Sequence, residues 1–480
     1  MTPVAIVVAI PLIAAGVLAL VPGHRLAGQL NVFASASTFC ASVYLFFAER
    51  VTGTFFILDD FNIYLVALTA FVSFTTSLFS AGYIDHEVET GKLKPRYLRL
   101  YHSMYQGFCF SMLLALTANN LGLMWVAVEG ATLTTVLMVS LYRTHEAIEA
   151  AWKYFILCGV GIALALFGTI LMYLTAQPAM GEGMAAMTWS ELLPRAHEFR
   201  PQLLNLTFVF LLVGYGTKVG LAPLHAWLPD AHAEGPTPIS AVLSGLLLNV
   251  ALYAVLRFKM LMAANPGAIA PGRLMIAMGL TSLVFAAFML YRRRDIKRFF
   301  AYSSIEHMGI VAFAFGMGGP IANFAGLLHM TMHSLTKSAI FFAVGHIAQH
   351  KGTQKIADIR GLTQSHPALG WGLVAGVLAI AGLPPFGIFM SEFLIVTSTF
   401  GREPHYSLLA IPFVLGLLVA FGALVMRLQG LAFGDTTGRS HPVAVSLAPM
   451  YTHLALVAVA GLYLPPPLVV WFQNVARLLG

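Results

Sequence analysis

The stretch FVFLLVGYGTKVGLAPLHAWL, residues 208 to 228, carries the features that decide the fold. It is apolar along most of its length, and about 20 such residues are enough to cross the hydrocarbon core of a bilayer as a helix. A single charge, Lys218, stands inside it, and a Gly-Leu-x-Pro step follows from Gly220 to Pro223. Proline removes a backbone donor and clashes with the preceding helical turn. The sequence therefore predicts a membrane helix that is broken beside a buried charge.

Apolar stretches of this kind recur along the whole chain. Of the 480 residues, 58% are hydrophobic and only 10% are charged. Breakers and charge clusters divide the chain into about fourteen spans, each far longer than the roughly 9 to 11 residues of a membrane barrel strand. The predicted spans are 3–21, 27–48, 61–83, 101–118, 120–142, 149–175, 203–229, 237–260, 272–291, 300–317, 321–348, 368–398, 407–432 and 447–474. Because backbone polar groups inside a bilayer must be satisfied within helices, we expect an all-α, polytopic membrane protein.

A weak internal repeat relates two parts of the chain. The stretch GLPPFGIFMSEFLIVTSTF, residues 382 to 400, has a second Gly-Leu-x-Pro step with Glu392 close to it, five predicted helices after the first step. A pair of interrupted helices in corresponding positions of two halves is typical of transporters built from inverted repeats. Two ordinary proline kinks are the alternative. The predicted organisation is an N-terminal three-helix segment (1–100), two inverted five-helix repeats each with a Pro-broken helix (101–262 and 272–432) and a C-terminal helix (447–480).

Lys and Arg are distributed unevenly between the predicted loops. The loops after odd-numbered spans hold 17 of the 27 basic residues, Arg439 among them, and the other side holds 8, including Arg257 and Lys259. Cytoplasmic loops carry the excess of basic residues, so both termini are expected on the non-cytoplasmic side. This topology accounts for the net charge of +7, which gives no reason to expect nucleic-acid binding.

Four acidic or basic residues stand alone inside predicted spans: Glu129, Lys218, Lys337 and Glu392. A charge at the centre of a bilayer costs roughly 2.5 to 3.5 kcal/mol on insertion scales, so such residues usually mark an ion or proton path. We predict that these four residues carry the function.

Histidines accompany one of these charges. His329, His333 and Lys337 recur at i, i+4 and i+8, so they share one helix face over about 12 Å. A row of groups that titrate near neutrality is suited to relay protons. Two histidines at i and i+4 can instead bind zinc, but the intervening residues are Met-Thr-Met and lack the glutamate of an H-E-x-x-H motif, so no metal site is predicted.

Further polar residues are weaker candidates for the same path. Glu306, His307, His225 and His232 lie beside the predicted breaks or on the spans between them. Each histidine is explained equally well as a hydrogen-bonded core or interfacial residue. Lys153, Lys297 and His346 lie near span ends, where snorkelling to the headgroups explains them as well as proton uptake does.

Signatures of cofactor chemistry are absent from the sequence. Cys40, Cys109 and Cys158 are scattered singly, with no C-x-x-C run for an iron–sulfur cluster and no Cys/His spacing for zinc. Neither a G-x-x-x-x-G-K-[ST] loop nor a G-x-G-x-x-G fingerprint occurs. We therefore expect no cofactor in this chain, so the energy for any ion movement has to come from partner chains.

Five strings carry a family resemblance: WVAVEGATLTT (125–135), KVGLAPLHAWLPDAHAEGPTPISA (218–241), DIKRFFAYSSIEHMG (295–309), LLHMTMHSLTKSAIFF (327–342) and GLPPFGIFMSEFL (382–394). The chain resembles, over nearly its whole length, the antiporter-like membrane subunits shared by respiratory complex I, Mrp cation/proton antiporters and energy-converting nickel–iron hydrogenases. Within this family it is most similar to the hydrogenase-4 component F subfamily of formate hydrogenlyase-type complexes.

The resemblance implies roles for individual residues. Glu129 matches a glutamate that pairs with a lysine on the broken helix, here Lys218, while Lys337 matches the central lysine and Glu392 the terminal group. A static ion pair that fixes helix packing is the alternative for Glu129 and Lys218. Asn249 stands where several relatives place a lysine or histidine. Since an amide does not release a proton near neutral pH, water would have to connect Lys218 to Lys337.

The resemblance also implies a function and an assembly. We expect a proton-translocating subunit in a bacterial or archaeal cytoplasmic membrane, bound to other membrane subunits and through them to hydrogenase and iron–sulfur subunits. The alternatives are an Mrp-type sodium/proton antiporter subunit and a non-conducting membrane anchor, which the neutral Asn249 keeps open.

Overall fold

The structure is a computed structural model that describes residues 2–436 and 446–480. Arg439, counted above with the cytoplasmic loops, lies outside the described residues. The first half contains the helices α1 (Pro3–Leu20), α2 (His24–Tyr44), α3 (Asp60–Glu89), α4 (Leu98–Thr117), α5 (Leu121–Val139), α6 (His145–Met180), α7 (Trp189–Arg195), α8 (Pro201–Val219), α9 (Trp227–Glu234), α10 (Thr237–Val242) and α11 (Leu248–Ala263). A hairpin of β1 (Val51–Thr52) and β2 (Ile57–Leu58), with Val51 opposite Leu58, lies between α2 and α3.

The second half is likewise helical. It contains α12 (Pro271–Leu290), α13 (Ile296–Met317), α14 (Gly319–Lys351), α15 (Leu362–Ser365), α16 (Pro367–Ile380), α17 (Gly387–Phe400), α18 (Pro404–Ser407), α19 (Ala410–Ala432), α20 (Ala448–Leu462) and α21 (Pro466–Leu478). Short 3₁₀ turns occur at Pro95–Tyr97, Ser140–Tyr142, Met184–Met187, Ala196–Glu198 and Ile356–Asp358. Every predicted span coincides with one or more of these helices, which confirms the all-α membrane fold.

The number of membrane crossings does not follow directly from the number of helices. In the described residues, 8 helical segments are long and apolar enough to cross a membrane, or 9 if the bent pair α20 and α21 is one span. The helices α16 and α17 are only 14 residues each. The histidines and charges of α13 and α14 lower the hydropathy of those two helices. The count of fourteen spans therefore stays a prediction.

Apolar side chains cover the outer surface of the bundle. On α6, the residues Trp152, Ile156, Val160, Phe167 and Ile170 are exposed and recur at helical spacing. Such a stripe facing outward is unfavourable in water and favourable against lipid tails. The interior of the bundle instead contains many buried polar side chains, among them lysines, histidines and serines.

The helix at the centre of the bundle is irregular. A π-helical turn, Leu243–Leu247, joins α10 to α11, and all five residues of the turn are buried. Within the turn, a Cβ on Gly245 would lie 2.6 Å from Ser338 Oγ on α14. Glycine is thus what allows the π turn and α14 to approach closely, as small residues do in membrane helix packing.

Both predicted breaks occur where the Gly-Leu-x-Pro steps place them. The first helix of each pair, α8 or α16, ends just before the step, and Gly220 and Gly382 both adopt a positive φ, of 79° and 68°. The peptides before Pro223 and Pro385 are both cis. The two steps therefore have the same local backbone geometry, and the chain resumes as α9 and α17.

Two predictions about chain ends and loops need correction. The predicted span 447–474 is not continuous, because residues 463–465, ending on the first of three consecutive prolines, separate α20 from α21 with a bend of 81°. Arg257 and Lys259 fall inside the predicted span 237–260 and are counted with the basic residues of the non-cytoplasmic side, but both lie on α11 and are almost fully buried. Arg257 forms an ion pair with Asp59 at 2.8 Å, and Lys259 donates to the Leu479 carbonyl oxygen at 2.8 Å. Neither residue therefore reports on orientation.

Candidate functional site

The first charged region joins α5 to the broken helix α8. Lys218 is fully buried and Glu129 is partly buried. Lys218 Nζ donates to Thr132 Oγ1, and Thr132 Oγ1 donates to Glu129 Oε2 at 3.0 Å. In the described part of the chain the two charged groups form no direct ion pair. The direct pair that the resemblance implied is replaced by one that a hydroxyl bridges.

Aromatic residues close this region from the side of α6. Lys218 Nζ lies 5.1 Å from the centre of the Tyr154 ring, a distance at which the ring face attracts a cation. The Tyr154 ring stacks on Trp227, with centroids 4.6 Å apart, and the Trp227 indole donates to the Thr217 carbonyl oxygen at 2.8 Å. Tyr154 and Trp227 therefore hold the end of the broken helix in place around Lys218.

The second charged region is built on α13 and α14. Lys337 is fully buried, and its Nζ donates to the Phe300 carbonyl oxygen at 2.9 Å. Glu306, six residues after Phe300 on α13, is also buried. One oxygen of this carboxylate, Oε2, is buried and makes no hydrogen bond of good geometry. Among the described residues, Lys337 thus has this one donor contact and forms no ion pair with a carboxylate.

Histidines from two helices meet next to Lys337. His307 Nδ1 lies 2.9 Å from His329 Nε2, so the two rings share one hydrogen bond. The other nitrogen of His329, Nδ1, lies 2.9 Å from Ser391 Oγ on α17. The ring of His333 lies 5.6 Å from that of His307, and neither nitrogen of His333 has a partner. The hydrogen-bonded line therefore runs from α13 through α14 to α17.

Glu392 lies at the end of this line, where α17 follows the second break. The side chain is partly buried and its carboxylate packs over the backbone at Gly382. Glu392 and Glu306 both line a cavity of about 330 Å³ whose other walls are mostly apolar residues of α17 and α19. The structure thus brings the two carboxylates and the two hydrogen-bonded histidines into one group.

The centre of the bundle has neutral polar groups. The Asn249 amide donates to Ser334 Oγ at 2.7 Å and to the Met330 carbonyl oxygen at 3.2 Å, both on α14. Ser334 Oγ in turn donates to the Gly245 carbonyl oxygen in the π turn at 2.5 Å. Asn249 is therefore bound to the helix that carries His333 and Lys337, and its own carbonyl oxygen Oδ1 has no partner.

The other predicted residues are dispersed. His225 lies in the first break against the ring of Phe285, and His232 on α9 stacks on Phe341 with centroids 5.0 Å apart. Lys153 is half exposed and bonds Glu149 at 2.6 Å. Lys297 does not snorkel, because it is buried and donates to the Gly235 carbonyl oxygen at 2.7 Å.

Sequence reasoning missed the hydroxyl groups that link the charged residues. Thr132 follows Glu129 by three positions, which places both on one helix face, and that spacing was a usable signal. Ser391 immediately precedes Glu392, but its contact with His329 depends on how α14 and α17 pack. The hydroxyl groups of Ser244 in the π turn and Ser304 on α13 form a hydrogen bond of 2.7 Å, and the spacing of residues along either helix does not predict this contact.

Comparison with known proteins gives consistent matches. Residues 118–422 match the model of a family described as "NADH:quinone oxidoreductase/Mrp antiporter, TM". The chain is 60% identical over 475 residues to the hydrogenase-4 component F homolog of Methylacidiphilum infernorum (isolate V4), covering 99% of both chains.

Solved structures share the fold. A chain of the membrane-bound sulfane sulfur reductase, an archaeal respiratory membrane complex, matches with a TM-score of 0.87 and 22% identity, covering 99% of this chain and 97% of that chain. A chain of respiratory complex I from Thermus thermophilus matches with a TM-score of 0.81 and 23% identity, covering 99% and 100%. Both neighbours are subunits of multi-subunit membrane complexes.

Proposed function

Because the chain belongs to the NADH:quinone oxidoreductase/Mrp antiporter transmembrane family, we propose that it is a proton-translocating, antiporter-like membrane subunit of an energy-converting nickel–iron hydrogenase complex, of the hydrogenase-4 or formate hydrogenlyase type. The relative that is 60% identical supports the hydrogenase assignment. The same relationship supports other membrane subunits as direct partners, with hydrogenase and iron–sulfur subunits bound through them.

One observation carries the transport part of this proposal. Polar groups from several helices form a chain near each of two buried lysines. Lys218 is joined through Thr132 to the carboxylate of Glu129 on another helix. One turn before Lys337, the ring of His333 lies beside the hydrogen-bonded pair His307 and His329. Buried ionisable groups in a membrane are costly and are usually retained for ion or proton pathways. Each chain also lies beside a broken helix, and the two five-helix units 101–262 and 272–432 would act as half-channels.

Energy and orientation follow from the same proposal. Moving one charge against about 100 mV takes roughly 2.3 kcal/mol, which redox chemistry in partner chains would supply. The protein would lie in a bacterial or archaeal cytoplasmic membrane with both termini on the non-cytoplasmic side. Proton transfer between the halves would pass Asn249, whose amide is already committed to α14, through water.

The proposal is tested on the complex reconstituted in vesicles, with hydrogen-producing turnover as the driving reaction and a pH-sensitive dye inside. The Lys337→Met substitution removes the charge while retaining an apolar chain of similar length. Redox-driven proton movement is expected to fall to less than about a tenth, since a relay group of this kind typically contributes a factor of about 100 or more. Assembly is checked by co-purification of the partner subunits.

A matched control variant separates the loss of the buried charge from the effect of replacing any lysine of this protein. Lys94, in the loop between α3 and α4, is exposed, and Lys94→Gln should leave proton movement unchanged. If Lys337→Met assembles and still moves protons at the wild-type rate, the chain is a membrane anchor rather than a channel. Sodium dependence of transport in the wild type would instead favour an Mrp-type sodium/proton antiporter.

A further inference from the structure

Three side chains from three helices converge beside the second break. His307 on α13, His329 on α14 and Glu392 on α17 each offer one ligand atom, and these atoms all lie within 4.8 Å of one another. Two imidazoles and one carboxylate are the donor set of many zinc sites with an open coordination position. The set differs from the i and i+4 histidine pair that the sequence offered, because His333 is replaced by His307 and Glu392.

The donor atoms need only small movements to hold an ion. Nitrogen and oxygen ligands lie about 2.0 to 2.2 Å from zinc, so two of them in a tetrahedral site are roughly 3.4 Å apart. His307 Nδ1 and His329 Nε2 are now 2.9 Å apart around a shared proton. An ion that replaces this proton requires the pair to open by about half an ångström, which a side-chain rotation achieves.

Partners for the outer nitrogens of both rings are already present. A histidine that binds a metal almost always donates its other N–H to a carboxylate, a carbonyl or a hydroxyl. For His329 that partner is Ser391 Oγ, whose own proton is donated to the Ile388 carbonyl oxygen at 2.7 Å. For His307 an available partner is Glu306 Oε2, 3.8 Å from Nε2, and among the described residues both atoms lack a hydrogen bond of good geometry. Metal binding would fix both ring tautomers.

Charge and space also suit a divalent cation. Glu392 and Glu306 place two carboxyl groups around the position, and a bound cation would hold them in their charged form against the repulsion from the nearby Lys337. The cavity of about 330 Å³ that both carboxylates line has ample room for a water molecule as fourth ligand. A simple two-histidine relay explains the shared hydrogen bond, but it leaves the adjacent carboxylate and the unpartnered Nε2 and Oε2 atoms without a role.

We propose that His307, His329 and Glu392 form a binding site for a divalent transition-metal ion such as Zn²⁺, and that an ion bound there blocks the second half-channel. The blocking part rests on the proposed function, because the ion takes the nitrogens through which a proton would pass between α13 and α14. The binding part does not.

Binding is measured on the full-length protein in detergent, with Zn²⁺ by titration calorimetry and with Co²⁺ as a spectroscopic substitute. The wild type is expected to bind one ion whose Co²⁺ absorption indicates tetrahedral nitrogen and oxygen ligands. Glu392→Gln, which retains size and removes the charge, should weaken that binding by at least about 100-fold, and Glu306→Gln by about tenfold.

Two further variants make the binding result decisive. His405→Gln serves as the control, because His405 is exposed and lies 3.7 Å from Glu403 on the surface. This variant should bind the ion with the same affinity and the same tetrahedral Co²⁺ absorption as the wild type. If Glu392→Gln is unstable, His329→Gln is the second ligand variant. Wild-type affinity in both ligand variants, or no such ion in the wild type, overturns the site.

Inhibition is measured separately in the reconstituted vesicles. The Zn²⁺ concentration that halves redox-driven proton movement should agree with the dissociation constant found by calorimetry. Binding without inhibition overturns the blocking step alone. A wild-type complex that turns over and moves no protons overturns the proposed function and leaves the metal site to stand on its binding data.

Discussion

The two charged regions of this protein are built differently. Around Lys218, one hydroxyl group links the ammonium to the carboxylate of Glu129, and aromatic rings close the remaining space. Beyond Lys337, several histidines, a serine and two carboxylates share contacts across three helices and border a cavity. A region with one link depends on that link, whereas a region with several partners has alternatives. The first should therefore be more sensitive to the loss of a single hydroxyl.

The largest effect is expected for Thr132→Val. Valine retains the shape of threonine but removes the hydroxyl that joins Lys218 to Glu129. Hydrogen bonds to charged groups contribute about 1.5 to 3 kcal/mol each, so redox-driven proton movement should fall by at least about tenfold. Thr132→Ser retains the hydroxyl and should restore most of the rate. Equal rates for the valine and serine variants would show that the charged pair works without the bridge.

A smaller effect is expected for Ser391→Ala. His329 loses one neutral hydrogen bond of about 1 kcal/mol, which corresponds to about fivefold in rate, and it retains its contact with His307. Proton movement in vesicles should therefore decline severalfold without being lost. A loss as large as that of Thr132→Val would contradict the contrast between the two regions.

The smallest effect is expected for Lys153→Gln. Lys153 is half exposed and pairs with Glu149 and with Asp230 at the first region's outer end. Exposed ion pairs contribute about 0 to 1 kcal/mol, so thermal unfolding in detergent and proton movement should both change little. A strong decrease in proton movement alone would mean that the first region takes up its proton at Lys153.

The sequence predicted the framework of both regions and missed their internal contacts. The spans and both breaks follow from apolar run length and from the Gly-Leu-x-Pro steps, which act locally. The split between α20 and α21 had an equally local signal in Pro465–Pro467, which the hydropathy of the flanking residues concealed. Arg257 lies inside the predicted span 237–260 but is counted with the loops because of its charge, while its partner Asp59 lies 198 positions away in the sequence.

The site was predictable where residues share one helix. Lys337 and His333 recur at helical spacing, and the structure places both in the interior. The contact of His307 with His329 joins two helices, and that of His329 with Ser391 joins another pair. Side-chain contacts between helices depend on the crossing angle and rotation of each helix, which the residue periodicity of one helix does not specify. Residue roles in proton transfer remain predictions for the vesicle experiments.

The π turn Leu243–Leu247 fixes the number of residues that the central helix can have. An extra residue in one turn rotates everything that follows by about 100° relative to a regular helix. That rotation lets one helix present Ser244 to α13 and, a turn later, Asn249 to α14. Deleting one leucine of this turn, such as Leu246, would remove none of these polar contact groups, yet it would turn Asn249 and all of α11 away from their partners. The spacing of this segment is thus constrained as strictly as its composition.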